Sequence, residues 1–168
     1  MHSECLEEDR MELLDQLIEE LSEGTFNQRR SLLEFYECSL DVFTKKFWIQ
    51  HCYKGFWKIA GDKIPTLRIR FAKSAKNIWG KMTKHDSDVW FMDCVEVLLD
   101  DLSEDVQEAG VHLNSLIIKG YDSSKERQLE EEEKVKINYE NVLREREKRE
   151  RDEIQRKKEE EREKKKYM

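Results

Sequence analysis

The sequence predicts an all-α protein: a short α-solenoid of antiparallel helix pairs, followed by a long charged helix that is either single or part of a coiled coil. Three observations predict it. Charged residues make up 41% of the 168 residues, hydrophobic ones 38%, and there is a single proline. That balance favours helix over strands and loops, which need more Gly, Pro and β-branched residues. Apolar residues recur at a fixed step of 39 residues through the front of the chain. Beyond Ser123 acids and bases take over, many of them spaced four apart. The expected organisation is a flexible N-terminus over 1–8, helical repeats over 9–120 and a charged helical tail over 121–168.

The stretch Leu98-Leu99-Asp100-Asp101-Leu102-Ser103-Glu104-Asp105-Val106 reads as the end of one helix, a tight turn and the start of the next. Ser103 or Asp105 is suited to accept hydrogen bonds from the free N–H groups of the new helix. A step of 39 residues back puts Asp62 in the place of Asp101, Leu67 in that of Val106 and Arg68 in that of Gln107; another step reaches Glu23, Gln28 and Arg29. Apolar residues keep the same step. Leu14, Tyr53 and Met92 form one column, Leu17, Phe56 and Val95 a second, Leu21, Ala60 and Leu99 a third. After the turn Leu33, Ala72 and Val111 align, as do Leu40, Trp79 and Ile118. Within a copy the spacing is that of one helix face. A single pair cannot bury that face alone, so successive pairs must stack and cover each other.

The pattern predicts helices over 9–22, 28–43, 46–60, 65–82, 87–101 and 105–119. Pro65 falls in the first turn of its helix, where a missing N–H costs nothing. Gly24, Gly61 and Gly120 fall just past helix ends, where a left-handed residue is wanted. Gly80 and Gly110 fit less well, and Gly110 is a weak point inside its helix.

A period of 39 residues, an Asp five residues ahead of an aliphatic residue and a basic residue directly after it together resemble the HEAT repeat. The resemblance implies a ladder in which the Arg of one repeat meets the turn Asp of another, here Arg29, Asp62, Arg68 and Asp101; Gln107 departs from the pattern at the last rung. The run from Arg30 to Ile117 is similar to the HEAT repeats of phosphatase regulatory subunits, namely the protein phosphatase 2A scaffold and the large regulatory subunits of protein phosphatase 4. The likeness is carried above all by Val42-Phe43-Thr44-Lys45-Lys46-Phe47-Trp48 and by Ala60-Gly61-Asp62-Lys63-Ile64-Pro65-Thr66-Leu67-Arg68-Ile69-Arg70-Phe71. Such scaffolds hold many more repeats than the two full pairs, with a partial neighbour on each side, that are read here. The resemblance therefore implies a short or partial version, non-catalytic, whose partner is a serine/threonine phosphatase catalytic subunit. No catalytic-subunit contact of the family maps onto a motif in this chain.

Enzyme chemistry is not expected, and no cofactor or metal is. His51-Cys52 and the separate His2, His85 and His112 lack metal-ligand spacing. The six glycines stand singly, so no phosphate-binding loop is present. The four cysteines, Cys5, Cys38, Cys52 and Cys94, sit among apolar neighbours without C-x-x-C pairing and read as reduced, mostly packed thiols. No apolar run is long enough to cross a bilayer and the acidic start lacks the features of a signal peptide, so the expectation is a soluble chain in the cytoplasm, with the nucleus as alternative.

The net charge of −7 conceals a segregation. Between Lys45 and Lys84 Asp62 is the only acid, whereas the flanking segments are acid-rich. Lys54, Lys58, Lys63, Arg68, Arg70, Lys73 and Lys76, interleaved with aromatics, suggest a basic face for an acidic protein segment, with nucleic acid a weaker alternative. The competing reading is a solvated face over an aromatic core, with Trp48 or Trp57 left open for binding. From Ser123 onward there are 16 basic and 15 acidic residues. Acids with bases four residues on, such as Glu145–Arg149 and Glu153–Lys157, support a solvated helix. Leu129, Val135, Val142 and Leu143 are enough to start a coiled coil but only Ile154 continues it. A lone helix, a partly disordered tail and a self-associating coil all remain open, and Lys164-Lys165-Lys166 matches a weak localisation signal. The function expected is that of a regulatory or scaffold protein; a structural or cytoskeletal adaptor acting through the charged helix is the alternative.

Overall fold

The computed structural model describes residues 6–82, 84–119 and 123–166. All regular structure among them is helical: α1 (Leu6–Ser22), α2 (Phe26–Val42), α3 (Lys45–His51), α4 (Tyr53–Lys58), a single 3₁₀ turn (Ile59–Gly61), α5 (Pro65–Trp79), α6 (Lys84–Leu99), α7 (Glu104–Ile118) and α8 (Ser123–Lys166). The chain divides into two compact units, Met1–Glu133 and Lys134–Met168. No described helix is long and apolar enough to cross a membrane.

Local chemistry explains most helix boundaries. Thr25 opens α2 with a capping box: its hydroxyl accepts the Gln28 N–H at 3.4 Å and its own N–H donates to Gln28 Oε1 at 2.7 Å. The helix thus starts earlier than the periodicity implies. Gly24 and Gly61 do not adopt the left-handed conformation expected of them. Gly24 instead leaves room for Gln28, whose Oε1 would lie 2.5 Å from an added Cβ. Gly120 lies outside the described residues. Pro65 begins α5 as expected, but the helix ends at Trp79 rather than at 82.

The single helix expected over 46–60 is bent. At Cys52 (φ −103°, ψ −35°) α3 gives way to α4, although the i to i−4 bonds into Trp48 and out to Phe56 survive at 2.8 and 2.9 Å. Cys52 is wholly buried, and in the next turn Gly55 lies so close to the Tyr36 hydroxyl that any Cβ would overlap it. Tyr36, Trp48, Phe56 and Phe71 form the centre of the core. Phe56 meets Phe71 at a ring separation of 4.5 Å and Tyr36 edge-on at 5.8 Å, while Trp48 Nε1 donates to the Tyr36 carbonyl at 3.1 Å. Trp48 is therefore buried and Trp57 half-buried, so neither is held open on the surface.

Helix packing in the first unit follows two sets. α5 packs on both α2 and α7, while α1 packs on α4 and the 3₁₀ turn on α6. Links within pairs join α1 to α2, α5 to the 3₁₀ turn and α6 to α7. By these contacts α1 groups with α2, α4 and the 3₁₀ turn with α5, and α6 with α7. The apolar columns are buried in part and exposed in part. Phe56, Val95, Leu33, Ala72 and Leu40 are buried, but Leu17 is 50% exposed, Val111 57% and Ile118 75%. An end pair has a neighbour on one side only, so the outward side of its helices stays in water.

Gly110 is a requirement of α7 rather than a defect. An added Cβ would stand 2.8 Å from Leu98 Cβ and 3.2 Å from backbone atoms of Leu98 and Leu99, so α6 and α7 touch there almost backbone to backbone. In the second unit α8 continues as helix with Val135, Tyr139 and Val142 exposed. Arg149 pairs with Glu145 and Lys157 with Glu153 in the expected order, whereas Arg146 and Arg156 reach forward to Glu150 and Glu160.

Gly110→Ala should lower stability by about 1–3 kcal/mol, because neither Leu98 Cβ nor the facing backbone can move aside. Gly61→Ala, whose Cβ meets nothing within 4 Å, should be neutral or stabilise by up to about 1 kcal/mol. Urea unfolding followed by circular dichroism checks both.

Candidate functional site

Each ladder residue is set up by its own turn. Asp62 Oδ1 accepts the Ile64 N–H at 2.9 Å and Asp101 Oδ1 accepts the Ser103 N–H at 2.8 Å. These Asx-type bonds orient the carboxylates. Ser103 itself forms no side-chain cap, contrary to expectation, and Asp105 lies inside the first turn of α7. An arginine 33 residues earlier then closes on each acid. Arg29 Nε donates to Asp62 Oδ2 at 2.6 Å and Nη2 to Oδ1 at 3.4 Å; Arg68 Nε and Nη2 donate to the two oxygens of Asp101 at 2.6 and 2.8 Å. The third arm of each guanidinium points back along the chain, from Arg29 to the Gly24 carbonyl and from Arg68 to the Asp62 carbonyl at 2.6 Å. A planar fork with five donors makes such a two-way clamp; a lysine ammonium does not. Side chains of both pairs are nearly buried, with exposures between 8% and 13%. The Arg68 hydrogen bond holds the Asp101 carboxyl below its ordinary value of 3.8, and the same bond raises the Arg68 guanidinium.

The ladder stops at both ends for chemical reasons. Gln107, in the column of Arg29 and Arg68, keeps the backward bond, from its Nε2 to the Asp101 carbonyl at 2.6 Å. Its single amide has no second arm to send forward. Glu23, in the column of Asp62 and Asp101, is bonded instead to Lys58 Nζ. That bond holds the Glu23 carboxyl below the usual range. Beside the first rung a groove of about 270 Å³ is lined by Glu23, Arg29, Lys58, Asp62 and Lys63, presenting both signs of charge.

The seven basic residues read as one face do not act as one. Arg68 is held in the ladder, Lys58 is bonded to Glu23, and Arg70 Nη2 lies 3.7 Å from Glu34 Oε1. Lys54, Lys63, Lys73 and Lys76 are exposed but sit on different elements: α4, the turn after it, and α5. The acids missing from 45–84 are supplied by neighbouring helices. A row of them on α2 clasps α5. Glu37 accepts from the buried Ser74 hydroxyl and from Asn77 Nδ2 at 2.7 Å, while Lys81 Nζ reaches the Glu37 carbonyl at 2.9 Å and Asp41 Oδ1 at 2.7 Å. Periodicity of apolar residues alone does not reveal this clasp. Its signal is a second pattern: acids at 34, 37 and 41 facing donors at 70, 74, 77 and 81, both in helical spacing, on helices one repeat apart.

Further contacts come from elsewhere in the chain. His51 Nδ1 lies 3.3 Å from Asp15 Oδ1. The Lys45 N–H donates to Glu133 Oε1 at 2.7 Å, so the first turns of α8 close the N-terminus of α3 together with the Thr44 hydroxyl. Cys52 and Cys94 are buried, and burial pushes the Cys52 thiol up to about 12 and raises that of Cys94. Both are thus far from the thiolate that nucleophilic attack needs. Cys38 is exposed on α2, and Cys5 lies outside the described residues. Among the described residues no group of three or more His, Cys, Asp or Glu side chains is arranged to hold a metal. Comparison with known proteins finds no matching family model, curated protein or solved structure.

Arg68→Met should cost about 2 kcal/mol in urea unfolding, since it leaves a nearly buried carboxylate without its fork. The pH response follows from the sign of the Asp101 shift. A depressed folded-state pKa means the contribution is complete above the unfolded value near 3.8 and is lost as pH falls through the lower folded value. Thermal midpoints measured from pH ~5 down to ~2 should therefore fall more steeply for the native chain than for Asp101→Asn.

Proposed function

We propose that the chain is a non-catalytic regulatory or scaffold protein, a short HEAT-like α-solenoid that binds a protein partner. The observation that carries this reading is the pair of Arg–Asp rungs, Arg29–Asp62 and Arg68–Asp101, one repeat of 39 residues apart and each anchored in a turn. A ladder of this kind belongs to a rigid stack whose turns are held at fixed spacing, and such stacks work by presenting extended surfaces. The partner favoured is a serine/threonine phosphatase catalytic subunit of the protein phosphatase 4 or 2A type. That choice rests on the resemblance of 30–117 to the repeats of those regulatory subunits. The stack would hold the catalytic subunit and alter its choice of substrate without taking part in the chemistry.

A second reading has its own support. α8 spans Ser123–Lys166, and beyond Glu133 its apolar residues Val135, Tyr139, Val142 and Ile154 are exposed. An adaptor acting through this helix, by itself or by self-association, would use that surface. Nucleic-acid binding through 45–84 is disfavoured, because Lys58, Arg68, Arg70 and Lys81 already have carboxylate partners.

Capture with the full chain as bait should recover a serine/threonine phosphatase catalytic subunit with measurable phosphatase activity. Recovery of other specific partners without one would end the phosphatase assignment. Truncation after Glu133 keeps the α3 cap in place. The stack reading expects partner binding to survive it, and the adaptor reading expects binding to vanish.

A further inference from the structure

We propose that the outer face of α1, built on Leu13 and Leu17 and flanked by Glu12, Glu19 and Glu20, docks a basic amphipathic helix of a partner protein. The inference rests on the reading of the chain as a partner-binding stack and names the surface and the chemistry of its occupant.

The repeat register identifies the face. Leu13 corresponds to Cys52 and Phe91, and Leu17 to Phe56 and Val95, in steps of 39 residues. In the second and third pairs these positions are buried, at 4% exposure or less, whereas Leu13 is 63% exposed and Leu17 50%. The side of the helix that carries them is one the fold covers with another helix wherever a neighbour exists.

Charge decides what kind of helix. α1 is acidic, α3 and α4 are basic, and α6 is acidic again through Asp93 and Glu96. The basic segment therefore lies between two acidic helices. Toward α1 it supplies Lys58 to Glu23 and His51 to Asp15. Toward α6 it packs its 3₁₀ turn, with Tyr53 close to Cys94 and Asp93. Phe91 and Val95, the register counterparts of Leu13 and Leu17, are buried on that same helix. The chain thus contains its own template for the missing neighbour: a basic helix with aromatic and aliphatic residues on one side, laid on an acidic helix.

The same alternation speaks against a second copy stacked end to end. That arrangement would lay α6, with Asp93 and Glu96, against α1, with Glu12, Glu19 and Glu20, and like charges would meet. Nor would the ladder continue across such a junction, since Gln107 has no forward arm and Glu23 is held by Lys58.

The probe is a labelled synthetic peptide of residues 45–61, free and in a hydrocarbon-stapled form so that helix content does not limit binding. The full chain is titrated into it and fluorescence anisotropy is read. Saturable binding is expected. It should weaken about tenfold or more for the double variant Leu13→Ser with Leu17→Ser, and comparably for Glu19→Lys with Glu20→Lys. The pair Val111→Ser with Ile118→Ser, at the opposite end, should leave it unchanged. All six residues are exposed, so circular dichroism should show unaltered folding. Failure of the stapled peptide to bind, or binding indifferent to Leu13 and Leu17, overturns the proposal. So does concentration-dependent self-association, seen by sedimentation, that the Leu13 and Leu17 substitutions abolish. Specific partners still captured by the double variant would leave the stack reading standing while this face is abandoned.

Discussion

A carboxylate that is tied first to its own turn and then to an arginine 33 residues earlier is the constraint on which the packing of the first unit depends. Asp62 and Asp101 each spend one oxygen on an N–H two residues ahead, which aims the other toward the incoming guanidinium. Arg29 and Arg68 arrive with three arms, of which one returns to the carbonyl of their own turn. Consecutive turns are thereby held together through a single side chain. Because the fork is planar and its partners fixed, the spacing between pairs tolerates little error. The helices that follow the turns, α2, α5 and α7, are then brought side by side, and their buried columns can match.

The two contacts made by α5 use different chemistry. Toward α2 it offers Arg70, Ser74 and Asn77, with Lys81 just past its end, to a row of acids. At the corresponding places toward the next pair, Lys73 and Lys76 stand in the register of Glu34 and Glu37, and Ala109, Leu113 and Leu116 in that of Arg70, Ser74 and Asn77. The second contact is therefore apolar, and its two lysines are left in water. Closeness there is gained between α6 and α7 through Gly110 instead. A polar clasp specifies its register by matching donors to acceptors, while an apolar contact relies on shape.

What could be read from the sequence divides along the same line. All-helical structure, the turn acids and the arginines one pair earlier follow from spacing, because a helix face and a turn have fixed periods. Burial at Leu17, Val111 and Ile118 did not follow, since a column says which side of a helix is apolar and not whether anything covers it. The pairing of Lys58, Arg68 and Arg70 did not follow for a related reason: a run of like charge in sequence has its partners on other helices. The bend at Cys52 and the need for Gly55 and Gly110 depend on how closely backbones approach, which residue type alone does not reveal. The capping box at Thr25 was legible, as a Thr with Gln three residues on, but the apolar period begins later and drew the boundary inward.

The bond between the Lys45 amide and Glu133, 88 residues apart, makes the first part of α8 a portion of the cap of α3. That helix leads directly to the bend at Cys52 and to the aromatic centre around Trp48. Glu133 Oε2 is buried without a hydrogen-bond partner, so this carboxylate acts on the α3 amide through Oε1. Loss of the Glu133 carboxylate would therefore loosen the start of α3 from a distant point in the sequence without touching either arginine clamp.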